Sequence, residues 1–292
     1  MKIARAGWTS GSFLVYTGAL TVLFSLFALL GVIAADHGKG AFAGWTVVIF
    51  LAIEACAVGL RQKGRPVAAG TFAFVAVVMF GVLVGAFFNW FGWLHGGHAP
   101  FSGFHFGLLG VELFTLVAAF VAIKAFRFPL ISLITAGLGW YFVTDVLSSG
   151  GNWSAVVTLL VGLTLFFVGL AFDGGDSRPY GFWVHFVAGL TVGGSLLFFW
   201  HSGDFKWTLI IITSLVFIAI GSAARRSSWT VFGAIGLAAA TGHFAVGATL
   251  SLGGNSLARP QTWVGPISYL CLGFFFAFLG LLLTRRGDTD AT

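Results

Sequence analysis

The sequence predicts an all-α fold, a polytopic integral membrane helix bundle, on three observations. Hydrophobic residues make up 58% of the 292 residues and charged residues only 8%, which leaves too little polar surface to cover a water-soluble globule. The apolar residues run in stretches of roughly 20, the length that crosses a bilayer. The basic residues alternate between the ends of these stretches, as they do in multi-pass membrane proteins.

Ten apolar segments follow one another along the chain, and we interpret each as a transmembrane helix. In order, they cover about 13–35, 43–60, 67–90, 105–126, 129–147, 153–172, 181–200, 207–223, 229–250 and 264–283. The first resembles a secretory signal, since Lys2 and Arg5 precede it. Its length of about 22 residues exceeds the apolar core of a usual signal, so we expect a retained helix.

The positions of the basic residues predict the orientation of this bundle. With the N-terminus inside, three of the fifteen Lys and Arg residues, Lys39, Lys206 and Arg259, face outward. The inner segments hold the others: Lys2, Arg5, Arg61, Lys63, Arg65, Lys124, Arg127, Arg178, Arg225, Arg226, Arg285 and Arg286. We therefore expect both termini in the cytoplasm, a cytoplasmic (inner) cell membrane of bacterial type, and contacts with anionic inner-leaflet headgroups. Basic residues in such short loops do not indicate a nucleic-acid partner.

Faint internal similarity suggests a repeat within one transmembrane domain, residues 1–292. The stretch LTVLFSL at Leu20–Leu26 recurs as LTVGGSL at Leu190–Leu196. Both stretches lie in segments predicted to run outward, so they predict parallel repeats, 13–126 and 181–284, joined by a helical hairpin at 129–172. Chance recurrence of common membrane residues is the alternative.

Among the ionisable side chains inside apolar segments, four are candidates for chemistry: Glu54, Glu112, Asp145 and His243. Ionisable groups are costly in lipid, so we expect them to face the bundle interior or a watery cavity. Glu54, Glu112 and Asp145 are candidate proton- or ion-coupling groups, with Asp145 in an outer access zone. Glu112 and His243 lie at a similar depth, roughly a dozen Å below the outer surface, and could form a relay. The alternative is a set of structural hydrogen bonds between helices.

Histidines gather in the predicted outer loops. The stretch GWLHGGHAPFSGFHFG holds His95, His98 and His105, and His37 and His201 fall on the same face. Neutral imidazoles of this kind could bind zinc or copper, or buffer protons. The spacing is not the helical HExxH pattern of a zinc enzyme, so an interfacial loop with tolerated histidines is the alternative, and no cofactor is required.

These sequence features are compatible with three classes of function. The first is a transporter or permease for a small solute or ion, which the intramembrane carboxyls favour. The second is a membrane-embedded metal-binding protein or enzyme that uses the outer histidines. The third is an assembly partner of another membrane protein, or a homo-oligomer. A haem protein is disfavoured because His185 and His243 are expected at different depths, and no signature of Ser/His/Asp catalysis is present.

Overall fold

The fold of the described residues is entirely helical. The computed structural model describes residues 10–94, 105–148, 150–224, 226–252 and 263–289. Within them lie nine helices and no strand, which confirms the predicted all-α class for this part of the chain. The helices are α1 (Ser10–Gln62), α2 (Pro66–Trp90), α3 (Phe106–Phe126), α4 (Ile131–Leu147), α5 (Gly151–Asp173), α6 (Arg178–Trp200), α7 (Asp204–Ala223), α8 (Ser227–Leu252) and α9 (Val264–Thr289).

Six of the described helices are long and apolar enough to cross a membrane: α1 from Tyr16, α2, α3, α5, α6 and α7. Helix α4 and the first part of α9 are apolar but shorter. Large apolar side chains such as Phe167 and Phe274 are exposed on the helix surfaces, as lipid contact requires. The chain is therefore a helical membrane protein, while ten crossings, the membrane it occupies and its orientation stay predictions.

Helix α1 is bent back on itself at Gly38. A straight helix of 53 residues would be about 80 Å long, more than twice the thickness of the hydrocarbon core. Leu23 and Ile53 would then lie about 45 Å apart, yet both belong to one buried cluster with Met79 of α2. The reversal requires the backbone at Gly38, with φ 78° and ψ 177°, which only glycine adopts readily. The first two predicted segments are the arms of this bent helix.

The described helices form two compact units, residues Met1–Ala188 and Gly189–Thr292, and the boundary falls within α6. In the first unit, α2 packs against α1, α3 and α4, and α4 also packs against α5. Small residues allow these close approaches: a Cβ at Gly81 of α2 would lie 3.0 Å from the Thr115 hydroxyl of α3. Whether residues 1–292 act as one domain, and whether they contain a repeat, stay predictions.

One end of the first unit collects basic side chains, and we call it the basic end. The Arg61 guanidinium lies over the Phe126 ring, 5.6 Å from its centroid, and the Ser132 hydroxyl donates to the Tyr180 carbonyl at 3.2 Å. These contacts place the end of α1, the end of α3 and the starts of α4 and α6 together. The basic side chains in these segments are Arg61, Lys63, Arg65, Lys124, Arg127 and Arg178.

The opposite end of the first unit is aromatic. A Cβ at Gly40, just after the bend of α1, would lie 3.6 Å from the Trp90 indole nitrogen at the end of α2. Gly107, in the first turn of α3, lies against the Trp93 carbonyl. The helix ends therefore alternate between two faces of this unit in the order that the distribution of basic residues predicts.

In the second unit, α8 packs against both α7 and α9. Glycines let α7 and α8 approach closely: a Cβ at Gly233 would meet the Ser214 carbonyl at 2.5 Å. The Phe217 and Trp229 rings pack edge to face with centroids 4.9 Å apart.

Candidate functional site

Two buried carboxyls on adjacent helices lie near each other inside the first unit. Glu112 of α3 is 3% exposed and Asp145 of α4 is 1% exposed, and they are close enough to interact electrostatically. The tight turn between the helices explains their proximity: Glu112 precedes Phe128 by 16 residues, and Asp145 follows Pro129 by 16. In an antiparallel pair joined by a short turn, positions equally far from the turn lie at the same height.

The buried oxygens of this pair have no hydrogen-bond partner within the described part of the chain. This holds for both carboxyl oxygens of Glu112, both of Asp145, and the hydroxyl oxygen of Thr144, the fully buried residue before Asp145 on α4. Buried polar atoms in folded proteins are nearly always paired, so five such atoms on two adjacent helices need an explanation. We call Glu112, Thr144 and Asp145 the carboxyl site.

Two further titratable side chains surround the carboxyl site. Tyr141, one turn before Asp145 on α4, interacts electrostatically with both carboxyls. His105 precedes α3 and interacts electrostatically with Asp145. Since Glu112 follows His105 by seven residues, it lies roughly 10 Å further into the unit. The Trp140 indole donates to the Thr158 hydroxyl at 3.2 Å and so fastens α4 to α5 beside the site.

The predicted outer histidines fall at several places. His105 is half-buried near the carboxyl site, and His37 is exposed beside the bend of α1. His201 is exposed in the second unit, where its Nδ1 is 2.7 Å from the Phe198 carbonyl. His95 and His98 lie outside the described residues. Across the described ranges, no three His, Cys, Asp or Glu side chains group so as to hold a metal ion, and the metal site stays a prediction.

The remaining predicted residues have separate surroundings. His243 of α8 stacks on the Trp207 indole, with centroids 4.6 Å apart and planes 11° from parallel, and its Nε2 is 3.1 Å from an Asp204 carboxyl oxygen. It belongs to the second unit and Glu112 to the first, so the relay between them stays a prediction. Glu54 is half-buried on the second arm of α1, and its coupling role also stays a prediction.

A second ionisable pair, which the sequence does not predict, lies at the basic end. The His185 ring of α6 is fully buried, and its Nε2 is 3.1 Å from a carboxyl oxygen of Asp173, which is 21% exposed. Gly169 makes room for the ring, since a Cβ there would lie 2.8 Å from it. The Phe166 ring packs against the imidazole edge to face at 5.7 Å. The signal in the sequence was a histidine, His185, in an apolar segment that follows an acid at the end of the preceding segment after a short connection.

The second unit contains a cavity of about 360 Å³ between α7, α8 and α9. Its lining is apolar apart from two hydroxyl groups, and consists of Ile211, Thr241, Phe244, Ala245, Val264 and Ser268. The Phe244 ring also contacts the His243 imidazole, with centroids 5.2 Å apart. The His243–Asp204 pair therefore lies beside this cavity.

The geometry offers two kinds of ionisable group, a carboxyl pair without hydrogen-bond partners in the described chain and two His–Asp pairs. The first kind can take up a proton or a cation, and the second is internally neutralised when the histidine is protonated. Comparison of the chain with protein families, with curated proteins and with solved structures found no match.

Proposed function

We propose that this membrane protein is a transporter or permease for a small solute or ion, and that Glu112 and Asp145 take up and release protons as it works. The observation that carries the proposal is the carboxyl site, where two buried acids on adjacent helices lie near each other without a hydrogen-bond partner from the described chain. Acidic residues within membrane helices are expensive and mark ion paths and proton relays.

The physical basis is the cost of charge in a low-dielectric interior. Two neighbouring carboxylates repel each other and lose their hydration, so the site is stable only when protons or cations neutralise it. A change in its occupancy therefore changes the stability of the packing between α3 and α4. His105, which precedes α3 and interacts electrostatically with Asp145, is suited to pass protons because its two ring nitrogens can accept and donate a proton.

The other predicted groups take supporting roles in this proposal. Glu54 is a second coupling group in the first unit, and the His243–Asp204 pair is a relay in the second. The basic end faces the cytoplasm and its anionic headgroups, with both termini inside. Impermeant-thiol labelling of single cysteines placed at Lys63 and Lys39, after replacement of Cys56 and Cys271, tests the orientation. Labelling of the Lys63 position from outside intact cells contradicts it.

Proton flux into liposomes tests the coupling role. Purified protein is reconstituted with a pH-sensitive dye inside, and an imposed pH gradient drives transport. We expect wild-type protein to acidify the lumen, and Glu112→Gln and Asp145→Asn to reduce the flux to that of protein-free liposomes. Asp36→Asn is the matched control, because this carboxyl is exposed at the bend of α1. Wild-type flux in both site variants would remove the coupling role.

A metal-handling function is the second candidate, and the electrostatic interaction of His105 with Asp145 favours it. Zinc or copper would bind an imidazole and a carboxylate there, with further histidines of the same loop. Elemental analysis of purified protein tests this candidate: a stoichiometric transition metal that His105→Ala removes supports it. A metal-free protein without affinity for added zinc or copper excludes it. If the flux assay also fails and a membrane protein co-purifies, the assembly role is favoured.

A further inference from the structure

The helices around the carboxyl site supply almost no positive charge to it. Helix α2, which packs against α3 and α4, has no acidic, basic, His, Tyr or Cys side chain in its 25 residues. The only titratable group of α5 is Asp173, which lies at the basic end. On α3, Lys124 is 12 residues from Glu112, or about 18 Å.

The opposite end of the unit adds little more positive charge to the site. The connection between α2 and α3, residues 91–105, contains no Lys or Arg in its sequence. Lys39 is at the bend of α1, but its side chain is exposed. The titratable groups that face the two carboxyls from the described helices are therefore Tyr141, which bears no positive charge, and His105.

The site is also rich in acceptors and poor in donors. It has four carboxyl oxygens and one hydroxyl oxygen without partners in the described chain, and the Thr144 hydroxyl brings the one hydrogen that these groups hold when both acids are ionised. One shared proton would leave most of these oxygens unsatisfied. A cation satisfies several oxygens at once and brings the missing charge.

We propose that Glu112, Thr144 and Asp145 form a binding site for a divalent cation of the calcium class, in exchange for protons. Hard oxygen ligands select calcium, magnesium and the alkali ions over zinc and copper. A double positive charge neutralises two carboxylates, whereas a single charge leaves a net charge in the membrane interior. Calcium exchanges its hydration shell for six to eight oxygen ligands more readily than magnesium, which retains waters. Each calcium bound displaces up to two protons from the carboxyls.

This inference rests on the same site as the proposed function and makes calcium the ion that the protons exchange with. Terbium(III) luminescence tests it, because terbium replaces calcium and is sensitised by nearby aromatic rings such as Tyr141 and Trp140. We expect wild-type protein in detergent to give a saturable signal that calcium displaces, and that sodium and potassium do not displace. Terbium affinity should fall roughly tenfold or more in Glu112→Gln and Asp145→Asn. Asp36→Asn should leave it unchanged.

Folding of the variants is checked by size-exclusion chromatography, and Thr144→Val provides a conservative second test, with an expected loss of affinity smaller than that of the acid variants. The site is disproved if the wild-type signal is insensitive to calcium, or if the acid variants bind terbium as wild type does. Displacement by sodium as effective as by calcium overturns the divalent class. Calcium binding without proton flux would refute the transport proposal and leave the calcium site intact. Proton flux without calcium binding would refute the calcium site and leave the transport proposal intact.

Discussion

The two ends of the first unit handle buried acids in opposite ways. At the basic end, Asp173 meets the fully buried His185 ring at 3.1 Å. Toward the other end, Glu112 and Asp145 lie near each other, with no hydrogen-bond partner in the described ranges. The same chain thus pairs one acid with a histidine and places two acids near each other.

The difference separates a structural role from a functional one. A His–Asp pair can neutralise itself, so it needs no ligand, and its removal costs stability. The carboxyl site cannot neutralise itself with the groups around it, so it stores instability that a proton or cation relieves. Substitutions at the two ends should therefore change the stability of the protein in opposite directions.

The largest effect is expected from His185→Ala. It removes the imidazole from the Asp173 carboxyl and empties the space of a fully buried ring, so the loss should be about 3 kcal/mol or more. Thermal unfolding in detergent measures it. His37→Ala, at an exposed histidine, is the matched control and should melt as wild type does. An unchanged midpoint for His185→Ala would show that the basic-end pair does not stabilise the fold.

Gly169→Ala should have the next largest effect. The added methyl would lie 2.8 Å from the His185 ring, and overpacking of this kind costs roughly 1–3 kcal/mol. The control is Gly137→Ala in α4, where a Cβ meets nothing within 4 Å, and alanine favours a helix over glycine. We expect the first variant to melt below wild type and the second at or above it. Equal midpoints would contradict the close packing at His185.

Two hydroxyl substitutions, one at each end of the unit, should give smaller changes in stability. Thr144→Val removes a buried hydroxyl without a partner in the described chain, so stability should hold or rise by about 1 kcal/mol. Ser132→Ala removes donation to the Pro129 and Tyr180 carbonyls, at 2.6 and 3.2 Å, and should cost about 1 kcal/mol. In thermal unfolding without divalent cations, Ser132→Ala should melt below wild type and Thr144→Val at or above it. A loss as large for Thr144→Val would mean that its hydroxyl has a partner.

Much of the helical framework could be predicted from the sequence. Segment 67–90 is α2, Pro66–Trp90, and segment 207–223 lies within α7, Asp204–Ala223, because apolar run length fixes a membrane helix closely. That the chain reverses at Gly38 without a longer loop could not be predicted, since it depends on the backbone angles of one residue. The six long apolar helices of the described residues support membrane insertion and leave the count of ten crossings as a prediction.

The identity of the carboxyl-site acids could be predicted, but not their grouping. Glu112 and Asp145 stand out as charges in apolar segments. Depth below the surface suggested His243 as a partner for Glu112, yet depth alone does not fix which helices are neighbours. The tight turn at Phe128–Pro129 does fix it, because it makes α3 and α4 antiparallel neighbours. The His185–Asp173 pair was missed because Asp173 falls just outside the predicted segment 153–172.

The most direct test of the account compares Glu112→Gln/Asp145→Asn with Asp173→Asn by thermal unfolding in detergent that contains a chelator. Amide groups bring hydrogens and remove charge, so the account predicts that the double variant melts at or above the wild-type midpoint. Asp173→Asn weakens the bond to His185 and should melt below it. If the double variant melts as far below wild type as Asp173→Asn does, then the chain itself satisfies Glu112 and Asp145, and the central claim fails.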